Sequence, residues 1–337
     1  MKLTFIWQGL SSVEEAYMMP EYEWIREIFE PLLGEQFYER EHSIVLDNCI
    51  LIDSYPFTHS KDYYQQFRGK NAWLFHRADE TYEGGYDVYS NFRGVFRIYW
   101  SSIFDPRYVM QLPLGFSNGR QGGMGERSAS ERPFLWSFLG EGGKATRPDM
   151  LKALADIGPN FMHVTGQGQT QPVGKVQYKQ ILCDSVFVPC SMGNVNLDTY
   201  RVYEALECGA IPIVEKRIGL DYFHKLLGDH PMPSFVNWKQ AAGFMLAIQH
   251  DRRAQDELSQ RCSRWWAAFK RDLTQRVQDF VARPASFTNA VRWYGSVPGW
   301  HMLELMRHHT APALARRAQR QFARLKQEKR WRLTTGA

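Results

Sequence analysis

The sequence predicts an α/β protein of two domains, each built on a parallel sheet, and three observations carry that prediction. With 337 residues and 44% apolar content, the chain exceeds what one hydrophobic core organises, so two domains of about 150 residues each are expected. Its amino terminus opens with a strand and an amphipathic helix. Its second half then repeats strand and helix in strict alternation, which is the signature of a parallel, doubly wound sheet.

Residues 2–7 (KLTFIW) read as the opening strand, and residues 21–33 place Trp24, Ile25, Ile28, Phe29 and Leu32 on one helical face. Short apolar runs at 44–46, 50–52, 72–75 and 95–99, separated by polar or turn-rich stretches, read as further strands. Between Phe116 and Pro133 the sequence turns to Gly, Ser and charge, as a linker does, and the domain boundary is placed there. Beyond it follow a strand at 134–138, a helix at 147–157, a strand at 161–164, a helix at 175–182, a strand at 185–188, a helix at 197–208 and a strand at 211–214. From Trp238 to about Val281 the pattern is helical, and a second helical region starts at Trp300. The expected division is a first domain at 1–120, a second at 121–290, and carboxyl-terminal helices with a basic tail at 291–337, for which packing back on the first domain is one expectation.

Composition excludes several classes. Cys49, Cys183, Cys190, Cys208 and Cys262 are an odd, scattered set with neither disulfide-framework nor zinc-site spacing. No window approaches the roughly 18 apolar residues of a membrane span, and the first apolar stretch is too short for a signal peptide, so a cytoplasmic setting is expected. Net charge is +5, yet residues 316–332 hold eight Lys or Arg against the single acid Glu328. The body of the chain is therefore slightly acidic, which argues against a nucleic-acid partner, whose binding face would spread its basic residues. Leu314, Ala318, Phe322 and Leu325 recur at helical spacing in that tail, and two readings stand: a helix lying on an anionic membrane surface, or a charged soluble helix.

In a parallel sheet, ligands bind outside the carboxyl ends of the strands. Residues 190–196 (CSMGNVN) follow such an end, and Gly193 would let the backbone approach a ligand while the next helix, expected to open near Leu197, offers free N–H groups suited to diphosphate. On that helix Arg201 and Glu204 share a face. Guanidinium matches phosphate oxygens and carboxylate accepts from ribose hydroxyls; as a bare pair they read equally as an intrahelical ion pair.

The run Tyr178, Leu182, Ser185, Phe187, Pro189, Gly193, Arg201, Glu204, Ala205, Gly209, Pro212, Ile213 resembles the signature of the exostosin-type glycosyltransferases, family 47, departing only at Val188, where that family usually has Leu. Residues 132–151 (RPFLWSFLGEGGKATRPDML) resemble the start of that family's carboxyl-terminal half, while LFHRADE (74–80), VFRIYW (95–100) and QLPLGF (111–116) look similar to its ribitol xylosyltransferase-like branch and bacterial relatives. The resemblance implies a GT-B architecture, two Rossmann-like domains facing across a cleft, and inverting transfer from a UDP-sugar (xylose, glucuronic acid, galactose or similar) to a glycan, polyol-phosphate or lipid-linked acceptor in surface polysaccharide synthesis.

On that reading the donor is held by Ser137, Gly140, Arg147, Pro189, Gly193, Asn194, Asn196, Arg201 and Glu204. The base on the acceptor hydroxyl is Asp79, Glu80 or His76, at the end of the strand AWLF. Arg97, Tyr99 and Trp100 flank the acceptor, as an anion partner and stacking rings, although the rings also suit a core. No D-x-D triplet occurs anywhere in the chain, so no metal and no cofactor beyond the co-substrate are expected, and arginines neutralise the leaving group. The alternatives are a GDP-fucose-type fucosyltransferase, whose E-N-S and Y-x-T-E-K patterns are missing here, and a non-catalytic protein binding nucleotide or an anionic surface.

Overall fold

In a computed structural model, described for residues 1–40, 44–54, 57–80, 82, 85–101, 104–119, 127–166, 171–194, 196–217 and 220–283, the chain forms two wholly parallel sheets. The first takes its strands from β1 (Leu3–Gln8), β2 (Leu33–Glu39), β3 (Cys49–Ser54), β4 (Ala72–Arg77), β5 (Gly94–Ile98) and β6 (Val109–Leu112), in the order β2-β1-β3-β4-β5-β6. The second takes β7 (Phe134–Glu141), β8 (Asn160–Thr165), β9 (Ser185–Cys190), β10 (Ile211–Glu215) and β11 (Ser234–Phe235), in the order β11-β10-β9-β7-β8. Each order changes direction once, between β1 and β3 in the first sheet and between β7 and β9 in the second.

Helices α1 (Val13–Met18), α2 (Tyr22–Ile28) and α3 (Lys61–Gln65) belong to the first half. In the second half, α4 (Arg147–Leu154), α5 (Lys175–Cys183), α6 (Tyr200–Glu207), α7 (Tyr222–Leu227) and α8 (Trp238–Ile248) precede α9 (Arg252–Ala282). The expected alternation in the second half is present throughout. The first half departs from expectation in two places: β2 is a strand with a polar sequence, LGEQFYE, while residues 44–46 form none. The expected helix at 21–33 stops at Ile28, because Pro31 cannot donate into a continuing helix and a single 3₁₀ turn, Glu30–Leu32, leads straight into β2.

The helical stretch after Trp238 is two helices, broken where the Asp251 carboxylate caps α9 by accepting from Ala254 N at 2.9 Å. Helix α9 follows the second sheet in sequence and packs on both halves. Trp266 stacks on Trp24 of α2 with ring centroids 5.6 Å apart, Phe280 meets Phe96 of β5 at 5.0 Å, and Lys270 Nζ bridges Glu27 (2.9 Å) and Glu207 (2.7 Å). Residues 291–337, for which packing back on the first domain is expected, and with them the basic tail, lie outside the described residues.

At the β6 exit, Gly115 has φ +75°, and a Cβ there would stand 2.2 Å from the Trp24 ring. Only glycine lets the loop lie flat on that indole. The loop continues to Ser117, whose position at the second half matters below.

Candidate functional site between the two sheet edges

The carboxyl edge of the second sheet carries two arginines on one turn. Gly140, near the end of β7, has φ +141°, and the carbonyls on either side of it each hold a guanidinium: Leu139 O accepts from Arg201 Nη2 at 2.6 Å and Glu141 O accepts from Arg147 Nη1 at 2.8 Å. A Cβ on Gly140 would lie 2.9 Å from Arg201 Nη2, so the glycine admits the guanidinium. Both cations also rest on the Phe138 ring, 4.6 Å (Arg201) and 5.8 Å (Arg147) from its centroid.

Both side chains are buried, both leave Nε without a hydrogen-bond partner, and among the described residues no carboxylate lies within ion-pair distance of either. Burial, and then the neighbouring charge of Arg201, pull the Arg147 pKa down to about 10. Two like charges in low dielectric without an ion-paired carboxylate cost free energy; the Glu141 and Glu80 charges offset part of it at Arg147, and an anion between the arginines would relieve it further. Further buried donors occur at the carboxyl ends of this half's strands: Ser191 Oγ just beyond β9, Thr199 Oγ1 just before α6 and Arg217 Nε beyond β10 all lack partners. These three were not foreseen; nothing in the sequence distinguishes them from core residues.

The loop from β9 to α6 differs from expectation. Helix α6 opens at Tyr200 rather than near Leu197, and several N–H groups before it are used within the chain: Met192 N donates to Glu215 Oε1 (3.2 Å), Gly193 N to Asn196 O (3.0 Å) and Asn196 N to Glu80 Oε1 (3.2 Å). Gly193 has no positive φ, and a Cβ on it would make only ordinary contacts at 3.5 Å or more, so its backbone imposes no need for glycine. Asn194 is half-buried in this loop; Asn196 also donates through Nδ2 to Tyr82 OH at 3.2 Å.

Pro189 stands where β9 parts from β7, two residues beyond the last pairing, Trp136 with Phe187. Ser137 is a correction: it is fully buried in mid-strand with its Oγ 2.7 Å from Ser185 Oγ, so it joins β7 to β9 and faces no ligand space. Arg201 and Glu204 form no ion pair with each other among the described residues. Glu204, 1% exposed, accepts from Tyr178 OH at 2.9 Å and, across the two halves, from Ser117 Oγ at 2.5 Å.

The first sheet's carboxyl edge is polar in another way. Register aligns Gln8 with Glu39, Asp53 with His76, His76 with Arg97, and Arg97 with Gln111. Ionisable or amide side chains therefore run along the sheet at one level, and tyrosines cover them. Tyr63 OH accepts from Gln8 Nε2 (2.9 Å), Tyr64 OH donates to Asp53 Oδ2 (2.5 Å), Tyr89 OH lies 2.5 Å from His76 Nδ1, and Tyr86 OH donates to Asp79 Oδ2 (2.5 Å).

Arg97 lies wholly inside this layer. It contacts Tyr89 OH at 3.3 Å and Asp79 Oδ2 at 3.5 Å, with the Phe104 ring 4.2 Å away and Tyr82 and Tyr86 on other sides. Burial alone would lower its pKa; the Tyr89, Tyr86 and Asp79 oxygens outweigh that and raise it. Its expected place beside an acceptor anion is corrected accordingly: the anion it meets is Asp79. The same enclosure takes Asp79 and His76 out of reach of a substrate. Burial, followed by the Arg97 charge, holds the His76 pKa well below the usual histidine value, so His76 is a neutral core imidazole.

Glu80 differs from its neighbours. It is half-buried and reaches the other half of the molecule at Asn196 N. Tyr99, with φ +68° and a pKa raised by burial and then by the Glu80 charge, and Trp100, whose N accepts no role in the sheet but donates to Tyr222 OH at 3.0 Å, both belong to this junction. The Tyr99 ring is buried and the Trp100 ring packs edge-on against Tyr222. Asp198 closes the junction: it accepts from Leu114 N (3.1 Å) and Tyr203 OH (2.7 Å), and burial pushes its pKa up to about 7.

Among the described residues no cluster of three His, Cys, Asp or Glu is placed to hold a metal, and no helix is long and apolar enough to cross a membrane. Residues 124–284 match the family described as the RXYLT1 C-terminal domain. The chain is 27% identical over 189 residues to ribitol-5-phosphate xylosyltransferase 1 of Mus musculus (49% of this chain, 42% of that one) and 33% identical over 131 residues to that of Homo sapiens (36% and 29%). It thus spans less than half the length of these curated relatives. The family match falls on the second half, where the sequence carries the exostosin-like run, rather than on the segments at 74–116.

Among solved structures, an α1,3-fucosyltransferase superposes with a TM-score of 0.53 at 10% identity, covering 86% of this chain and 92% of that one. An α-glucosyltransferase in complex with UDP and DNA superposes with a TM-score of 0.52 at 9% identity, covering 84% and 100%. The fold is therefore GT-B, two parallel-sheet α/β domains with their carboxyl edges toward one another.

Proposed function

We propose that this protein is an inverting glycosyltransferase that takes its sugar from a UDP-sugar and passes it to a hydroxyl of a polyol-phosphate or glycan acceptor, xylose being the sugar that its relatives' name favours. The observation that carries the reading is the pair of buried guanidiniums of Arg147 and Arg201 on the Gly140 turn, neither in an ion pair among the described residues, at the point where the second sheet changes direction. In doubly wound sheets that point is where nucleotides bind, and two forked cations match a diphosphate. The ribitol xylosyltransferases it resembles and the UDP complex of a protein of like fold agree with it.

In this reading Arg147 and Arg201 neutralise the leaving diphosphate, so turnover persists in excess EDTA. Glu204, oriented by Tyr178, accepts from the ribose, and the Ser117 hydroxyl stands where a ribose hydroxyl would donate. Of the three expected bases, Glu80 is the one at the junction of the halves; it takes the proton of the acceptor hydroxyl as that oxygen attacks the anomeric carbon. A cytoplasmic, membrane-side place in surface polysaccharide synthesis belongs to the same proposal. Incubation with UDP-xylose, UDP-glucuronate and UDP-galactose should release UDP from one of them. No release from any, together with no binding of UDP itself, overturns the reading.

A further inference from the structure

The five cysteines are scattered in the sequence, but the fold brings two of them together. Cys183 is the last residue of α5, and Cys208 caps the carboxyl end of α6. Cys208 Sγ donates to the Lys179 carbonyl at 3.7 Å. Lys179 stands one turn before Cys183 on α5, and a helical side chain lies back over the turn that precedes it, so the two thiols meet over that turn. They hydrogen-bond each other there. Arg132 fixes the surroundings: Nη1 donates to Ser185 O at 2.8 Å and Nη2 to Cys208 O at 3.4 Å, which ties the start of β9 to the end of α6. Its guanidinium charge is felt by both sulfurs.

The two thiols are unequal. The Cys208 S–H can turn to a Cys183 thiolate, and together with the Arg132 and Lys179 charges it outweighs burial and the Asp184 charge, so the Cys183 pKa falls to about 7. The same bond, and then burial, push the Cys208 pKa up. Cys183 is 7% exposed and Cys208 1%, so the more acidic thiol is also the outer one. At Cys49, Cys190 and Cys262 burial acts first and raises the pKa of each. Thiolate character and access select the sulfur that oxidises, and both single out Cys183.

We propose that Cys183 and Cys208 are a site of oxidative modification, at which a hydroperoxide joins them in a disulfide that restrains residues 184–207. The Cys183 thiolate attacks the peroxide O–O bond, takes one oxygen as a sulfenic acid and releases the other as hydroxide. Cys208 sulfur then attacks the sulfenic sulfur, and its proton leaves with the departing hydroxide as water. Two thiols and one hydrogen peroxide thus give one disulfide and two waters, two electrons passing from sulfur to oxygen. The enclosed segment carries β9, Ser191, Thr199, Arg201 and Glu204. Ser185 begins β9, so the pair lies at the opposite edge of the sheet from the arginine turn. Its oxidation is independent of the transferase reading.

The test exposes the full chain, reduced and folded, to a small excess of hydrogen peroxide, then alkylates it in urea and digests it without reductant. Mass spectrometry should find Cys183 joined to Cys208, two hydrogens lighter than the separate peptides, with Cys49, Cys190 and Cys262 alkylated. The oxidised chain should melt about 5 °C above the reduced one, as closing a loop of this size does. In Cys208→Ser, Cys183 should stop at the sulfenic acid and be trapped by a cyclic dione, while Cys183→Ser should leave Cys208 a thiol. Peroxide that leaves both residues as thiols, oxidises all five cysteines alike or joins a different pair overturns the site. A disulfide that leaves the melting temperature in place overturns the restraint on residues 184–207.

Discussion

The two sheet edges that face one another are both polar and both buried, yet they answer their buried arginines differently. Along the first sheet, Asp53, His76 and Arg97 are covered by Tyr64, Tyr86 and Tyr89, and the Arg97 charge is answered by Asp79. Along the second, Arg147, Arg201 and Arg217 keep Nε atoms without partners, and Ser191 and Thr199 keep free hydroxyls. Burial by itself therefore does not mark a binding site. The distinction lies in whether a buried guanidinium finds an ion-pair partner within the chain, since His76 Nε2 and Glu39 Oε2 on the first edge also lack hydrogen-bond partners.

Four substitutions can break or sharpen that comparison. The largest effect is expected at Glu80, which joins the edges: Glu80→Gln should lower turnover by about 10³-fold while UDP still binds, and turnover within tenfold of the parent would remove Glu80 from the chemistry. Next, Arg97→Met should cost about 3–5 kcal/mol of stability, because it leaves Asp79 buried without its cation; an unchanged urea midpoint would show that the Arg97–Asp79 pair does not hold the first edge. Tyr64→Phe removes one donor from Asp53 and should cost about 2 kcal/mol, read from the same unfolding curves.

The smallest effect is a pH dependence at the junction. Asp198 titrates from 3.8 when unfolded and from about 7 when folded, so between those values the unfolded chain binds fewer protons and stability falls as pH rises. Asp198→Asn lacks that fall. The difference in melting temperature between variant and parent should shift in the variant's favour from pH 5 to pH 8, and a constant difference would show that Asp198 is not held protonated.

How far this was legible in the sequence follows the same division. The second sheet reads correctly because buried parallel strands are nearly continuous apolar runs, and Arg147, Arg201 and Glu204 could be placed from the strand ends that precede them. Strand β2 escaped because it lies at the sheet's edge with half-exposed, polar residues, and residues 44–46 misled because their apolar side chains pack without pairing, Ile44 using its carbonyl for Tyr63 instead. Asp79, His76 and Arg97 could be put at strand ends but not beneath a layer of tyrosines, since the covering rings come from residues 63–64 and 86–89 through tertiary packing. The crossing of α9 onto Trp24 and Phe96 is likewise long-range, and no local pattern announces it.

The most direct measurement is calorimetric titration of UDP into the parent protein and into Arg201→Met, with a thermal melt of each without ligand. If the second edge is an anion site kept at the expense of stability, the variant should lose about 100-fold in UDP affinity, the worth of a charge-assisted pair, and melt no lower than the parent. A variant that binds UDP as well as the parent, or that loses binding only because it has unfolded, would contradict the account.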